Sequence, residues 1–275
     1  MGNFVLASAS KFFWFTILLV STSLHVYADA EELAPELKKR KAAEELALHS
    51  QIIVTDYFFL NQGVSNIMAK EKISKNRERI RENIAYLESV VENQNHQALL
   101  RYLALTQEGL DETLAAQYSA SNAQMMLDVS DVIREGAESI IKYFLSENGT
   151  DQTILDVLEY QRYLVERMTK LYVASLAGFQ DDNTVTHMGE AISAYEKGLA
   201  EIDSFRYPYY MKNDIAKLRA RWLTTKRLYE NVEKGELPRT VFYATAVMDR
   251  ILKKLIKYQY KLADTSVENH EIAGY

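Results

Sequence analysis

An all-α protein, built as two tandem four-helix-bundle units that run up and down and join end to end, is the fold this 275-residue chain predicts. Only 3 Pro and 10 Gly punctuate it, so long uninterrupted elements are expected. Apolar residues recur at three- and four-residue spacings opposite charged faces, as in amphipathic helices. Strict alternation persists nowhere between turn signals, so no strand pattern competes.

The first residues form a targeting segment rather than part of the fold. Lys11 precedes an uncharged run from Phe12 to Leu24, and Val26-Tyr27-Ala28-Asp29-Ala30 offers small residues for cleavage after Ala28 or Ala30. Residues 1–28 therefore read as a secretory signal peptide. The run falls short of the roughly 20 apolar residues that span a bilayer; an uncleaved anchor is the alternative. No later segment is long and apolar enough to span, so the mature chain is expected in the periplasm of a Gram-negative host, without a membrane span. With 0 Cys it carries neither a disulfide nor a thiolate ligand, and stability has to come from packing.

Residues 29–45 read as a solvated helical lead-in, with Lys38, Lys39, Arg40 and Lys41 beside Glu44 and Glu45. The first unit covers 46–150. Its helices are Leu46 to Ala69, Ile73 to Val91, His96 to Tyr118 and Ser121 to Leu145, closed by a Glu147-Asn148-Gly149-Thr150 turn. Ile73, Ile80, Ile84, Leu87 and Val91 give the clearest stripe, with Lys75, Arg77, Glu78 and Arg81 on the opposite face. The second unit covers 151–264: Ile154 to Ala177, a loop from Gly178, Val185 to Ile202, a Tyr207-Pro208 turn, Met211 to Val232, a break at Lys234-Gly235-Glu236-Leu237-Pro238, and Arg239 to Ala263. Residues 265–275 are expected to form a flexible tail.

Charge and motif content exclude several functions. The formal charge is −6, from 32 Lys+Arg against 38 Asp+Glu, and no long basic block exists, so nucleic acid is not an expected partner. None of the 5 His follows a Glu by three residues, as a dinuclear-metal bundle requires. His49, His96 and His187 are isolated. There is no glycine-rich phosphate loop and no nucleophile signature. The expectation is a non-enzyme with no metal, cofactor or catalytic residue.

One stretch stands out. Tyr160 to Tyr172 sets charged side chains among apolar ones at helical spacing. Arg162, Glu166 and Thr169 share one side of that helix, Tyr163, Arg167 and Lys170 form the adjacent strip, and Gln161 turns away. A guanidinium is a planar fork of donors suited to nitrate, carboxylate or phosphate. An intrahelical pair with Glu166 is the plainer use of the same charge.

Gln161-Arg162-Tyr163-Leu164-Val165-Glu166-Arg167-Met168-Thr169-Lys170 resembles the Gln-Arg-Met-Leu-Ser-Gln-Arg-Met-Ala-Lys signature of the type IV pili methyl-accepting chemotaxis transducer N-terminal (PilJ-type) domain. That domain is similar to the periplasmic sensor domain of nitrate/nitrite sensor kinases. Gln161, Arg162, Leu164, Arg167, Met168 and Lys170 match, while Val165-Glu166 stands in place of Ser-Gln. Residues 154–263 carry the resemblance and 46–147 look like a degenerate first copy, Ser50 to Tyr57 aligning with Tyr160 to Arg167. The resemblance implies a helical sensor input, usually dimeric. It holds a small anion such as nitrate or nitrite at Arg162, with Arg167, Glu166, Gln161 and Lys170 around it, and signals through a membrane-bound signalling or pilus protein. A second class is an envelope or pilus-associated adaptor that binds proteins through bundle surfaces rich in the 18 Tyr, among them Tyr207, Tyr209 and Tyr210.

Overall fold

The computed structural model describes residues 35–148, 153–232 and 237–273. Among these, the regular elements are all helices: α1 (Pro35–Asn61), α2 (Asn66–Val90), α3 (Gln94–Ala115), α4 (Ala120–Asn148), α5 (Ile154–Leu176), α6 (Asp182–Ser204), α7 (Tyr209–Tyr229) and α8 (Pro238–Ala273). No described helix is long and apolar enough to cross a membrane. Residues 1–28, expected as a signal peptide, the turn expected at Gly149-Thr150 and the break expected at Lys234-Gly235-Glu236 lie outside the described residues.

Local chemistry sets the helix ends. α5 opens on a reciprocal cap: the Asp156 amide donates to Thr153 Oγ1 at 3.3 Å, and the Thr153 amide donates to Asp156 Oδ2 at 2.7 Å. It closes at Gly178, whose φ of 90° suits a residue without a Cβ, while the Phe179 amide reaches back to the Ala174 carbonyl at 3.0 Å. Asp181 caps α6 by accepting from the Thr184 amide at 2.7 Å, and Pro208 precedes α7.

Three boundaries differ from the sequence expectation. The lead-in is not a separate solvated segment: α1 runs unbroken from Pro35, and Ala42, Ala43, Leu46 and Ala47 are buried. The break expected near residues 70–72 comes earlier, where Gly63 and Ser65 adopt φ of 70° and 50° and turn the chain from α1 into α2. The segment expected as a flexible tail is helical as far as Ala273, because α8 continues through it.

α1 and α5 are the central helices. Every residue from Leu46 to Phe59 of α1 is buried, as is every residue from Gln161 to Glu166 of α5. Helices enclosed on all faces need neighbours on all faces. The two run parallel: Arg40 pairs with Asp156 near their starts, and Gln62 Nε2 donates to the Val173 carbonyl at 3.0 Å near their ends. α1 and α5 therefore lie side by side, where the sequence leads one to expect an end-to-end junction of two units. An end-on junction would leave one face of each central helix in water.

α2 and α8 pack antiparallel to α1 and α6 antiparallel to α5, whereas α7 runs parallel to α5. α2 meets α1 through Lys38 over the Tyr86 ring at 5.0 Å, and α8 meets it through Lys41 over Tyr260 at 4.5 Å and Phe59 edge-on to Phe242 at 5.2 Å. On α5, α6 presents Gly198 to Gln161, and α7 brings Tyr229 to within 6.1 Å of Tyr172. Tyr195 and Trp222, with ring centroids 4.3 Å apart, fill the space between α6 and α7.

Candidate functional site

The central helices α1 and α5 bury a layer of polar groups in an otherwise apolar interior. α1 buries His49, Ser50, Gln51, Thr55 and Asp56; α5 buries Glu159, Gln161, Arg162, Glu166, Thr169 and Lys170. Burying such groups is costly unless each finds a partner, so their partners define what the layer does.

Arg162 is 7% exposed and held between two carboxylates. Its Nη1 donates to Glu159 Oε2 at 3.0 Å and its Nε donates to Asp249 Oδ1 of α8 at 3.0 Å. Asp249 is shared with Lys253 at 2.6 Å. Burial pushes the Asp249 carboxyl up, but Arg162 and Lys253 outweigh it and hold it below its ordinary range. Glu166 is not the intrahelical partner of Arg162; that role falls to Glu159, three residues earlier on the same helix.

The other motif residues point elsewhere. Lys170 Nζ donates to Ser130 Oγ at 3.1 Å and to Asp131 Oδ1 at 2.8 Å, both on α4. Arg167 is only partly buried, and its Nη1 donates to the Tyr163 hydroxyl at 3.4 Å. Gln161 is 1% exposed, lies against Gly198 of α6, and has no hydrogen-bond partner for either amide atom among the described residues. Thr169 Oγ1 donates to the Val165 carbonyl at 2.8 Å and joins a hydroxyl chain with Tyr229 and Thr245. The five expected site residues therefore face α4, α6 and α8 separately and do not converge on one space.

Four carboxyls of this layer are displaced upward, Glu159 among them by burial against the opposing Arg162. Glu166, 5% exposed, is raised to about 7, by burial first, with Asp249 and Asp56 adding to the shift and Lys72 and Lys253 opposing it. Asp56 is raised to about 6, again by burial, against Lys72, whose Nζ sits 3.4 Å from Asp56 Oδ1. Asp56 Oδ2 has no hydrogen-bond partner among the described residues. Glu44, one turn before His49, is raised to about 8 by burial, with Arg40 opposing. His49 is held neutral, its pKa lowered to about 3 by burial and then by Arg79 and Arg162. The layer thus mixes tight pairs with carboxyls that titrate around neutral pH.

Sequence reasoning named one half of this layer. Glu159, Asp249, Asp131 and Lys72 were not assigned to it, because each is an ordinary charge on its own helix and only tertiary contact makes it a partner. A signal did exist on α1: His49-Ser50-Gln51 and Thr55-Asp56 interrupt an apolar run whose neighbours are buried on every side.

Among the described residues no group of three or more His, Cys, Asp or Glu side chains is placed to hold a metal ion. No protein-family model matches the chain, and no curated protein or solved structure does either, so what the site does follows from its own side chains.

Proposed function

We propose that this chain is an exported, non-catalytic helical binding module of the sensor-input kind, similar to PilJ-type domains, that takes up a ligand or protein and hands its state to a membrane-bound partner. The observation that supports it is the layer of polar groups buried on α1 and α5. Buried ion pairs add little stability over apolar packing of the same volume, and their best-attested use is to fix register or to switch. Two parallel central helices, each tied to its outer neighbours by a buried ion pair, Arg162–Asp249 to α8, Asp56–Lys72 to α2 and Lys170–Asp131 to α4, fit an element with a small number of discrete positions. In this reading α1–α4 and α5–α8 are two copies of one unit. Gln51 and Gln161 occupy matching buried places, as do Asp56 and Glu166.

A small anion at Arg162 is disfavoured, since nitrate or nitrite would have to displace Glu159 or Asp249 from the guanidinium in a buried layer. The adaptor reading keeps one specific support: Tyr209 and Tyr210 are 88% and 68% exposed side by side at the start of α7.

Thermal unfolding of the full chain across amino acids, carboxylates, amines and inorganic anions distinguishes the two. A ligand at a hundred times its dissociation constant adds about 2.7 kcal/mol and raises the midpoint visibly. A selective rise supports the sensor module. A flat panel, with envelope proteins co-purifying through a surface that Tyr209→Ser and Tyr210→Ser abolish, moves the function to the adaptor.

A further inference from the structure

We infer that the cavity enclosed by α1, α4 and α5 binds an organic cation, an amine or quaternary ammonium carrying an apolar body. The inference rests on the binding-module reading and adds the chemistry of the ligand. The cavity holds ≈ 350 Å³, within the range of small-ligand pockets. Its charged lining is of one sign: Glu44 from α1, Glu138 from α4, and Asp156 and Glu159 from α5. No lysine, arginine or histidine is among the described residues that line it.

Independently of the acids, the rest of the wall is shaped for an apolar cation. Tyr160 and Tyr163 stack one helical turn apart, ring centroids 5.7 Å apart and planes 21° from parallel. Both rings border the cavity, opposite Ile141 and Leu145 of α4. Aromatic faces attract ammonium groups through the ring quadrupole, most strongly where water is excluded. Tyr160 is 46% exposed, which leaves the aromatic wall open to an entering ligand.

The carboxylates are not neutralised by the arginines near them. Arg40 divides itself between Glu44, at 3.3 Å, and Asp156. Arg162 is shared by Glu159 and Asp249, and Arg134 by Asp131, Glu135 and Glu138. Each guanidinium thus serves two or three acids, and even with Lys253 on Asp249 and Lys170 on Asp131 these seven acids face five cations, leaving negative charge in excess around the space. Glu44 registers that excess. After burial and the opposing Arg40, the groups that raise its pKa to about 8 are Glu159 and Asp156 of α5 and its neighbour Glu45. Glu138 of α4 lines the same space, and Tyr260 of α8 also faces Glu44. A cation in the cavity favours ionised Glu44, so its uptake releases a proton and tightens as pH rises through about 8.

Calorimetric titration of the full chain with hexyltrimethylammonium, hexylamine, hexanol and hexanoate tests this. Both ammonium compounds are expected to bind saturably, at least tenfold tighter than hexanol, with no binding of hexanoate. Hexyltrimethylammonium carries no proton of its own, so its affinity should rise about tenfold between pH 6.5 and pH 8.5 as Glu44 ionises. Glu44→Gln should flatten that rise, and Tyr160→Ala, at a half-exposed position, should weaken binding about tenfold, both with the unfolding midpoint retained. Hexanol or hexanoate binding as tightly as the ammonium compounds overturns the ligand class while leaving the sensor module standing. Unchanged affinity in both variants overturns the site. If these four compounds and the wider ligand panel all fail to bind, both the cation site and the sensor module fall.

Discussion

Replacing Glu166 with Gln should stabilise this protein at mildly alkaline pH and flatten its stability against pH. Glu166 is 5% exposed and forms no ion pair among the described residues. It is faced by Asp56 from α1, Lys72 from α2, Tyr229 from α7, and Asp249 and Lys253 from α8. Since the folded carboxyl titrates above the unfolded one, the stability carried by its protonated form is complete below about pH 4.5. That contribution is lost as pH rises through about 7. Moving a carboxyl from 4.5 to about 7 penalises the ionised folded state by about 3 kcal/mol, at about 1.4 kcal/mol per tenfold change in acidity. Gln keeps the shape and cannot ionise, so Glu166→Gln should be near neutral at pH 4.5 and more stable than the parent by up to about 3 kcal/mol at pH 8. Denaturant unfolding at half-unit steps between pH 4.5 and 8 reads this directly. A parent-like slope in the variant, or a variant less stable than the parent at pH 8, would refute the reasoning. Asp56 and Glu44, raised to about 6 and about 8, leave a residual slope of the same sign.

Three further outcomes follow from the packing. Arg162→Met strands Glu159 and Asp249 without their cation and should cost about 3–5 kcal/mol at pH 7; adding Glu159→Gln and Asp249→Asn should recover most of it, and equilibrium unfolding of the single and triple variants checks both. Gly136→Ala places a Cβ 2.8 Å from both Leu103 methyls inside the α3–α4 contact and should destabilise by about 1–3 kcal/mol. Gly189→Ala, with nothing within 4 Å of its Cβ, should instead stabilise α6 by about 0.5–1 kcal/mol, and opposite shifts in the two melting midpoints test the pair. Thr153→Ala removes the cap from α5 and should cost about 1 kcal/mol, with amide exchange rising in the first turn of α5 before anywhere else in that helix.

The helical content was legible because few breakers interrupt the chain and the amphipathic stripes of the outer helices keep their period. Ile80, Ile84 and Leu87 are buried on the face their spacing predicts. The central helices were harder to place. From Leu46 to Phe59 α1 is buried on every face and mixes apolar with polar side chains around its circumference, so its sequence carries no sign of which neighbour covers which face, and the lateral meeting with α5 is not legible in it. The turn at Gly63 carried a visible glycine, but the apolar pattern continues across it through Val64 and Ile67 and obscured the break. For the site, residue type and spacing correctly marked α5 as unusual. They did not predict that Arg162, Lys170 and Gln161 diverge toward α8, α4 and α6, since that depends on which helix lies behind each position. The cavity acids were least visible of all: Glu44, Glu138 and Glu159 sit on three helices and meet only in the folded chain.

Paired with Glu159 and Asp249, Arg162 is a committed core cation rather than an open anion receptor. Calorimetric titration of nitrate and nitrite into the full chain at pH 7, with Arg162→Lys alongside, measures this. The paired geometry predicts no saturable heat from either anion in either protein. Saturable nitrate or nitrite binding by the parent that disappears in Arg162→Lys would contradict it.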